Sequence, residues 1–104
     1  MKIAVTYADG QVYQHFGHAA QFKLYTVESG MILDTAVVDA TASGHSAMVS
    51  YLQRQGVNTV ICGGIGGGAV SALAGAGIRL FAGATGSADQ AVLALLAGKL
   101  VHNP

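Results

Sequence analysis

The sequence predicts an α/β fold in one domain, residues 1–104, with a five-stranded mixed sheet and three helices. The chain is short enough for a single core, and 52% of its residues are hydrophobic against 10% charged, which excludes disorder. Short β-rich runs without polar alternation indicate strands buried on both faces. Between these runs, a helix-ending glycine pattern recurs.

The first three strands are predicted before residue 40. Residues 3–7 form a β-rich run without alternation, which is typical of a central strand. Residues 8–20 are predicted as a loop. Residues 22–27 alternate like a half-buried strand, residues 28–30 suit a tight turn, and residues 31–39 provide the returning strand of an antiparallel hairpin.

Three helices are predicted, each followed by a glycine that suits the left-handed position after a helix. The first begins at Ser43, where the apolar spacing changes to 3.6 residues, and ends at Arg54. The second covers about 66–75 and the third about 88–97. Ser87 and Gln90 are predicted to cap the third helix reciprocally. The helix-ending residues are Gly56 with Val57, Gly75 or Gly77 with Ile78, and Gly98 with Leu100.

Two further apolar runs, residues 59–62 and 78–82, predict buried parallel strands between the helices. The element order is therefore βββαβαβα. Right-handed crossovers and one hairpin then lead to the spatial strand order 3-2-1-4-5, in which only the second strand is antiparallel. This order describes an RNase H-like α/β fold.

Charge and cysteine usage exclude several classes of function. Five Lys and Arg residues balance five Asp and Glu residues without a basic run, so no nucleic-acid partner is expected. Residues 55–88 carry only the charge of Arg79, but glycines interrupt them, so no membrane span is expected. The single Cys62 cannot form an intrachain disulfide, and we expect a cytoplasmic protein. The charge-poor half leaves apolar surface that a homodimer would cover.

The predicted topology brings several metal-ligating residue types to one edge of the sheet. His15 and His18 follow the first strand, His45 opens the first helix, and Cys62 ends the fourth strand. Ligands of open α/β sheets bind at this edge, where the parallel strands end. Each residue also has a structural explanation, as a solvated histidine or a buried core cysteine, but their convergence favours a site. His102, in the C-terminal tail, is interpreted as a surface residue.

A glycine-rich turn at residues 62–69 joins the fourth strand to the second helix. Its glycines would let the backbone approach a ligand closely, and the free amides at the helix start favour an anion; close packing of helix against sheet is the structural alternative. The turn lacks the Gly-Lys-Ser/Thr of a P-loop, and the dinucleotide spacing fails at Ala69. The candidate glycines are Gly63, Gly64, Gly66 and Gly67.

The candidate ligands suit a loosely held metal cluster better than a permanent zinc ion. Structural zinc sites use four Cys or His residues in short pairs, and only His15 and His18 have such spacing. Imidazoles or one thiolate could hold an exposed metal of a larger anionic cluster while backbone amides donate to its sulfurs. Such partial ligation would allow the cluster to be passed onward.

Three segments resemble the dinitrogenase iron-molybdenum cofactor biosynthesis family, a family of small nitrogenase-cofactor carrier and accessory proteins. Together with the strand order they cover nearly the whole chain. They are residues 15–19 with Phe22, residues 62–69 with Leu73 and residues 77–78, and residues 86–89 with residues 91–92 and 96–100.

The resemblance implies an RNase H-like fold, no catalytic activity, and reversible carriage of an iron-sulfur-based cluster, such as iron-molybdenum cofactor or its precursor. It implies cluster donor and acceptor proteins as partners, in or beyond nitrogen fixation. His15 and His18 match the family's first-loop motif, and His45 matches only a general loop position. The glycine-turn motif is matched by Cys62, Gly63, Gly64, Gly66 and Gly67.

Two other functions are compatible with the sequence. The glycine turn could hold a small anion in a regulatory module without metal. An RNase H-like hydrolase would need clustered carboxylates for two divalent ions. Only Asp9 lies close to the first strand, and Asp34, Asp39 and Asp89 are not spaced to join it clearly.

Overall fold

The computed structural model describes residues 1–40 and 44–104, in which one mixed sheet is flanked by helices. The strands are β1 (Lys2–Ala8), β2 (Gln11–Val12), β3 (Gln21–Glu28), β4 (Met31–Asp39), β5 (Thr59–Ile61) and β6 (Arg79–Phe81). The helices are α1 (His45–Arg54), α2 (Gly67–Gly75) and α3 (Ala88–Leu96), with a 3₁₀ turn at Phe16–His18.

The main path of the sheet has the order β4-β3-β1-β5-β6. β3 is antiparallel to both of its neighbours, whereas β5 is parallel to β1 and to β6. Along this path, the predicted order 3-2-1-4-5 with one antiparallel strand is confirmed. The name RNase H-like for that order stays a prediction.

The predicted strand number was wrong, because the sheet has six strands rather than five. The additional strand, β2, lies within the segment predicted as a loop and pairs antiparallel with the end of β1. Asp9 and Gly10 both adopt positive φ angles, 49° and 83°, which reverse the chain in a tight turn. Val12 is then buried at 4% exposure, so this short return contributes to the core.

The β3–β4 hairpin is confirmed over its predicted length. Ser29 and Gly30, with φ angles of 53° and 76°, form a two-residue turn of the kind that matches the twist of paired strands. The register shifts between Thr26 and Val27, which makes Leu33 the additional residue on β4.

The helix ends follow the predicted glycine pattern. Gly56, Gly77 and Gly98 all have φ angles between 72° and 78°. The amide after each of the first two glycines closes the helix, with Val57 N donating to Leu52 O at 3.1 Å. Ser87 caps α3 by accepting from Gln90 N. The first helix begins at His45 among the described residues, and the predicted start at Ser43 lies outside them.

Two hydrophobic clusters cover the two faces of the sheet. One joins residues of α1 and α2 to Ala4 and Val60, and the other joins residues of α3 to Ile3 and Ile61. β1 contributes to both clusters with fully buried side chains, which agrees with its unbroken apolar run. Across the described residues, each helix is too short or too polar to cross a membrane.

Hydrogen bonds and an ion pair join the start of α3 to β3. Asp89, in the first turn of α3, accepts from Lys23 Nζ at 2.8 Å and from the Tyr25 hydroxyl at 2.5 Å. The hydrogen bonds from Lys23 and Tyr25 lower the pKa of Asp89, and burial together with Asp89 holds the pKa of Tyr25 above its ordinary range. The carboxylate therefore stabilises the folded state only while it is ionised.

We expect Asp89→Asn to lower the free energy of unfolding at pH 7 by about 1 kcal/mol or less, the range of exposed ion pairs. Because folding lowers the pKa of Asp89, its contribution is fully present above about pH 4 and is lost as the pH falls through the lowered value. Urea unfolding of both proteins at several pH values measures the difference, with Glu28→Gln as the matched control. A difference that persists undiminished at the acid end would contradict this account.

Candidate functional site

A pocket of about 430 Å³ lies at the edge where β1 and β5 end and where α1 and α2 begin. Three loops therefore contribute to one concave site, as expected for an open α/β sheet. Its lining residues are His15, Phe16, Gly17, His18, Gly44, His45, Gly64, Ile65, Gly66, Gly68 and Ala69.

Phe16 anchors the loop that carries His15 and His18 by inserting its ring into the hydrophobic core. This ring is 1% exposed and meets the ring of Phe22 edge-on at 6.1 Å between centroids. Burial of an aromatic ring of this size stabilises the loop by about 2 kcal/mol or more. One apolar residue between two exposed histidines thus holds both of them at the rim of the pocket.

The same loop is joined to the glycine turn by backbone hydrogen bonds. Phe16 N donates to Gly64 O at 3.0 Å, and Gly64 N donates to Gln14 O at 2.6 Å. These bonds form a short parallel bridge between His15 and Gly64. The position of His15 beside the turn is therefore set by main-chain geometry.

Gly63 and Gly64 permit this close approach. A Cβ atom on Gly63 would lie 2.6 Å from Gln14 Cα, and one on Gly64 would lie 2.9 Å from Gln14 O. Gln14 is itself held by hydrogen bonds from its Nε2 to Val12 O and Ala84 O. The glycines were predicted to admit a ligand or to allow packing of helix against sheet, but at these two positions they admit the loop backbone.

The structure brings three predicted imidazoles to the pocket. His15 and His18 meet edge-on with 6.5 Å between ring centroids. His45 approaches from α1, and its ring lies against Gly68, where an added Cβ would be 2.9 Å from His45 Cε1. Among the described residues, no three His, Cys, Asp or Glu side chains are grouped closely enough to hold one metal ion.

The electrostatic character of the pocket comes from two helix N-termini. Gly44 precedes α1 and Gly66 precedes α2, and both line the pocket. Neither helix start receives a side-chain hydrogen bond from the described residues. First-turn amides and helix dipoles favour negative charge, and none of the described lining residues is acidic. The pocket is therefore suited to an anion.

Cys62 does not lie where the sequence predicted. Its side chain is fully buried in the cluster with Leu52 and Leu73 and does not line the pocket. Burial raises the pKa of the thiol to about 12, so the sulfur stays protonated at neutral pH. The thiol is buried in the core because the residue ends an apolar strand, and it does not share the pocket with the histidines.

Of the remaining predicted residues, some line the pocket and others do not. Gly64 and Gly66 line the pocket, whereas Gly63 and Gly67 do not. His102 lies exposed in the tail, as interpreted from the sequence, and its Nδ1 accepts from Ala82 N at 3.0 Å.

Sequence reasoning missed three residues that shape the site: Gln14, Phe16 and Gly68. An aromatic residue between two histidines in a polar loop is a signal that could have identified Phe16 as an anchor. The contacts of Gln14 and Gly68 depend on other segments of the chain, and the local sequence carries no sign of them.

The fold and the pocket define a small α/β protein with a histidine-lined pocket at the carboxyl edge of its sheet. The chain belongs to the family described as "Dinitrogenase iron-molybdenum cofactor", whose sequence profile matches residues 1–98. It is 30% identical over 105 residues to "Uncharacterized protein MJ0580" of Methanocaldococcus jannaschii, covering 96% of this chain and 89% of that protein.

Two solved structures show the same fold. The crystal structure of PH0822 is similar with a TM-score of 0.90 and 24% identity, covering 99% of this chain and 96% of that one. The apo form of the orange protein from Desulfovibrio gigas is similar with a TM-score of 0.84 and 28% identity, covering 98% of this chain and 92% of that one.

We expect Gly63→Ala to destabilise the protein by about 1–3 kcal/mol, because the new methyl group overlaps Gln14 and must displace the histidine loop. The matched control is Gly67→Ala in the first turn of α2, where an added Cβ meets no atom within 4 Å, so no comparable loss of stability is expected. Chemical denaturation measures both. Equal stability of the two variants would show that the close approach is not required.

Proposed function

We propose that this protein is a non-enzymatic carrier of an iron-sulfur-based metal cluster, with iron-molybdenum cofactor or its precursor as the cargo. The observation that carries the proposal is the pocket itself. Its described lining combines three imidazoles with two helix N-termini that no described side chain caps, and it includes no acidic residue. Iron-sulfur-based clusters with net negative charge match these features. Proteins that deliver and accept the cluster would be its partners.

His15, His18 and His45 are the proposed metal ligands, because each presents an imidazole to the pocket. Gly64 and Gly66 contribute backbone at the wall, where amide donors stabilise cluster sulfurs or an attached carboxylate. The proposal leaves out Cys62, whose protonated thiol lies in the core. Ligation by imidazoles alone, at the mouth of an open pocket, suits a cargo that is later released.

The family supports the class of cargo. The family profile matches residues 1–98, and this range includes every segment that builds the pocket, from the histidine loop to the second helix.

A second candidate is a regulatory module that binds a small anion without metal. Two observations favour it: the helix N-termini at the pocket, and the lack of three grouped metal-ligating side chains in the described part of the chain. Stabilisation by phosphate or molybdate that survives a chelator, and grows logarithmically with concentration above Kd, is its signature.

A hydrolase of the two-metal type has less support from the site. Its chemistry needs grouped carboxylates, and no such group occurs among the described residues. Asp9 occupies the tight turn after β1, and Asp89 is held by Lys23 and Tyr25 on the other side of the sheet.

We expect anaerobic reconstitution with iron and sulfide to yield a coloured protein, and replacement of the pocket histidines to abolish the colour. The test variant is His15→Ala combined with His18→Ala and His45→Ala, because all three imidazoles line the pocket. Visible absorption and iron and sulfide analysis after desalting measure retention.

Two control variants make the result specific. His102→Ala removes an imidazole away from the pocket, and Cys62→Ala removes the buried thiol; both should retain the cluster. Loss of cluster only in the Cys62 variant would refute the proposed ligand set. The anion-binding module would be supported instead if the parent protein retained no iron and if phosphate raised its thermal unfolding temperature both with and without a chelator.

We expect Gly68→Ala to weaken cluster retention without touching a metal ligand. Its methyl group would lie 2.9 Å from His45 Cε1, so the imidazole must move, which a flexible side chain does at little cost in stability. Gly67→Ala on the same helix turn is the control. Iron content and thermal unfolding distinguish the two, and unchanged retention in Gly68→Ala would show that the position of His45 is unimportant.

A further inference from the structure

The orientation of the pocket imidazoles is not set by hydrogen bonds from the described residues. Among these residues, no ring nitrogen of His15, His18 or His45 donates or accepts a hydrogen bond. A histidine that binds a metal is usually oriented by such a bond, from its other ring nitrogen to a carboxylate or a carbonyl. The described contacts that can orient these three rings are therefore packing contacts.

Tyr13 provides a packing contact for His15. The two rings meet edge-on at an interplanar angle of 76°, with 6.2 Å between their centroids, a geometry typical of favourable aromatic pairs. His15 meets His18 in the same way, so three rings contact one another in succession. Both histidines are exposed, whereas Tyr13 is half-buried and does not line the pocket. Tyr13 is thus the inner end of this series of rings.

Tyr13 is itself held firmly by the framework of the sheet. Its N–H donates to Thr6 O at 2.8 Å, and its carbonyl accepts from Thr6 Oγ1 at 2.8 Å and from Gly63 N at 3.3 Å. Thr6 is fully buried in the central strand β1. The side chain of Tyr13 packs against the hydrophobic cluster beneath α1 and α2. The ring is consequently a fixed surface against which the imidazole of His15 rests.

We propose that Tyr13 is a positioning residue, whose ring restricts the rotation of the His15 side chain and, through His15, that of His18. Main-chain hydrogen bonds bring the backbone of His15 to the pocket, and Tyr13 sets the orientation of the imidazole there. His45 is outside this series, because its ring lies against Gly68. An edge-on aromatic pair shifts an equilibrium by about 2- to 12-fold.

This way of holding a ring has a chemical consequence for the bound cargo. A hydrogen bond from a carboxylate or carbonyl raises the basicity of a ligating imidazole and strengthens its bond to the metal. An imidazole that is oriented only by an aromatic edge is a weaker ligand, which favours release. This consequence rests on the proposed carrier function, whereas the orientation of the ring does not.

The orientation is tested on the protein alone, without any cluster. Three-bond NMR couplings measure the rotamer populations of each histidine side chain about its Cα–Cβ bond. Tyr13→Leu removes the aromatic edge and keeps an apolar side chain, and Tyr13→Phe is the conservative control. We expect His15 to occupy mainly one rotamer in the parent and in Tyr13→Phe, and to average over several in Tyr13→Leu. The change should be smaller at His18 and absent at His45 and His102.

Amide hydrogen exchange separates positioning from a general loosening of the loop. The amides of Phe16 and Gly64, which are bonded across the junction, should exchange equally slowly in the parent and both variants. Faster exchange of these amides in Tyr13→Leu would overturn the proposal, because Tyr13 would then support the backbone. Unchanged His15 rotamers in Tyr13→Leu, or averaging already present in the parent, would overturn it as well. Tyr13→Met replaces Tyr13→Leu if the latter does not fold.

Anaerobic loading with iron and sulfide then tests the consequence for ligation. We expect the rate of iron loss after desalting to rise about 2- to 12-fold in Tyr13→Leu and to stay at the parent value in Tyr13→Phe. An unchanged rate in Tyr13→Leu would show that the ring orientation does not contribute to ligation. A parent protein that retains no iron would contradict the carrier function, while the rotamer populations still decide the role of Tyr13.

Discussion

The site depends on one close approach between two backbones. The segment from Gln14 to Phe16 lies against Gly63 and Gly64 with no room for a Cβ atom, and hydrogen bonds in both directions hold it there. Gly83 N adds a bond to Gly63 O, so the loop after β6 joins the same junction. Because three loops are fixed to one another by main-chain geometry, the backbone of His15 is brought to the pocket without a side-chain partner.

The arrangement separates two kinds of chemistry that lie close together in the sequence. The thiol of Cys62 is buried and protonated. The glycine turn that follows it lines the pocket with backbone atoms and leads into the N-terminus of α2. Imidazoles and amides bind an anionic cluster reversibly, whereas an accessible thiolate would hold it more firmly. Because Gly44 and Gly66 have no side chain, neither can cap the helix that it precedes, and no other described residue donates a side-chain cap to α1 or α2.

Much of this organisation could be predicted from the sequence, because it depends on local rules. The hairpin, the helix-ending glycines and the strand order follow from turn chemistry and from short unbroken apolar runs such as residues 3–7. The convergence of His15, His18 and His45 followed from topology alone. The burial of Cys62 agrees with its place at the end of an apolar strand, which is the structural explanation that the sequence also offered. The contact between Gly68 and His45 could not be predicted, because it depends on packing between segments far apart in the chain. β2 was missed because two residues are too few for a pattern.

The central claim is that the three imidazoles of the pocket hold the cluster while the fourth histidine does not. The most direct measurement is an NMR spectrum of protein labelled with nitrogen-15 in histidine, recorded before and after anaerobic loading with an iron-sulfur cluster. We predict that the ring signals of His15, His18 and His45 shift or broaden through the nearby iron, whereas those of His102 persist. A loaded protein in which all four histidines keep their signals would contradict the account.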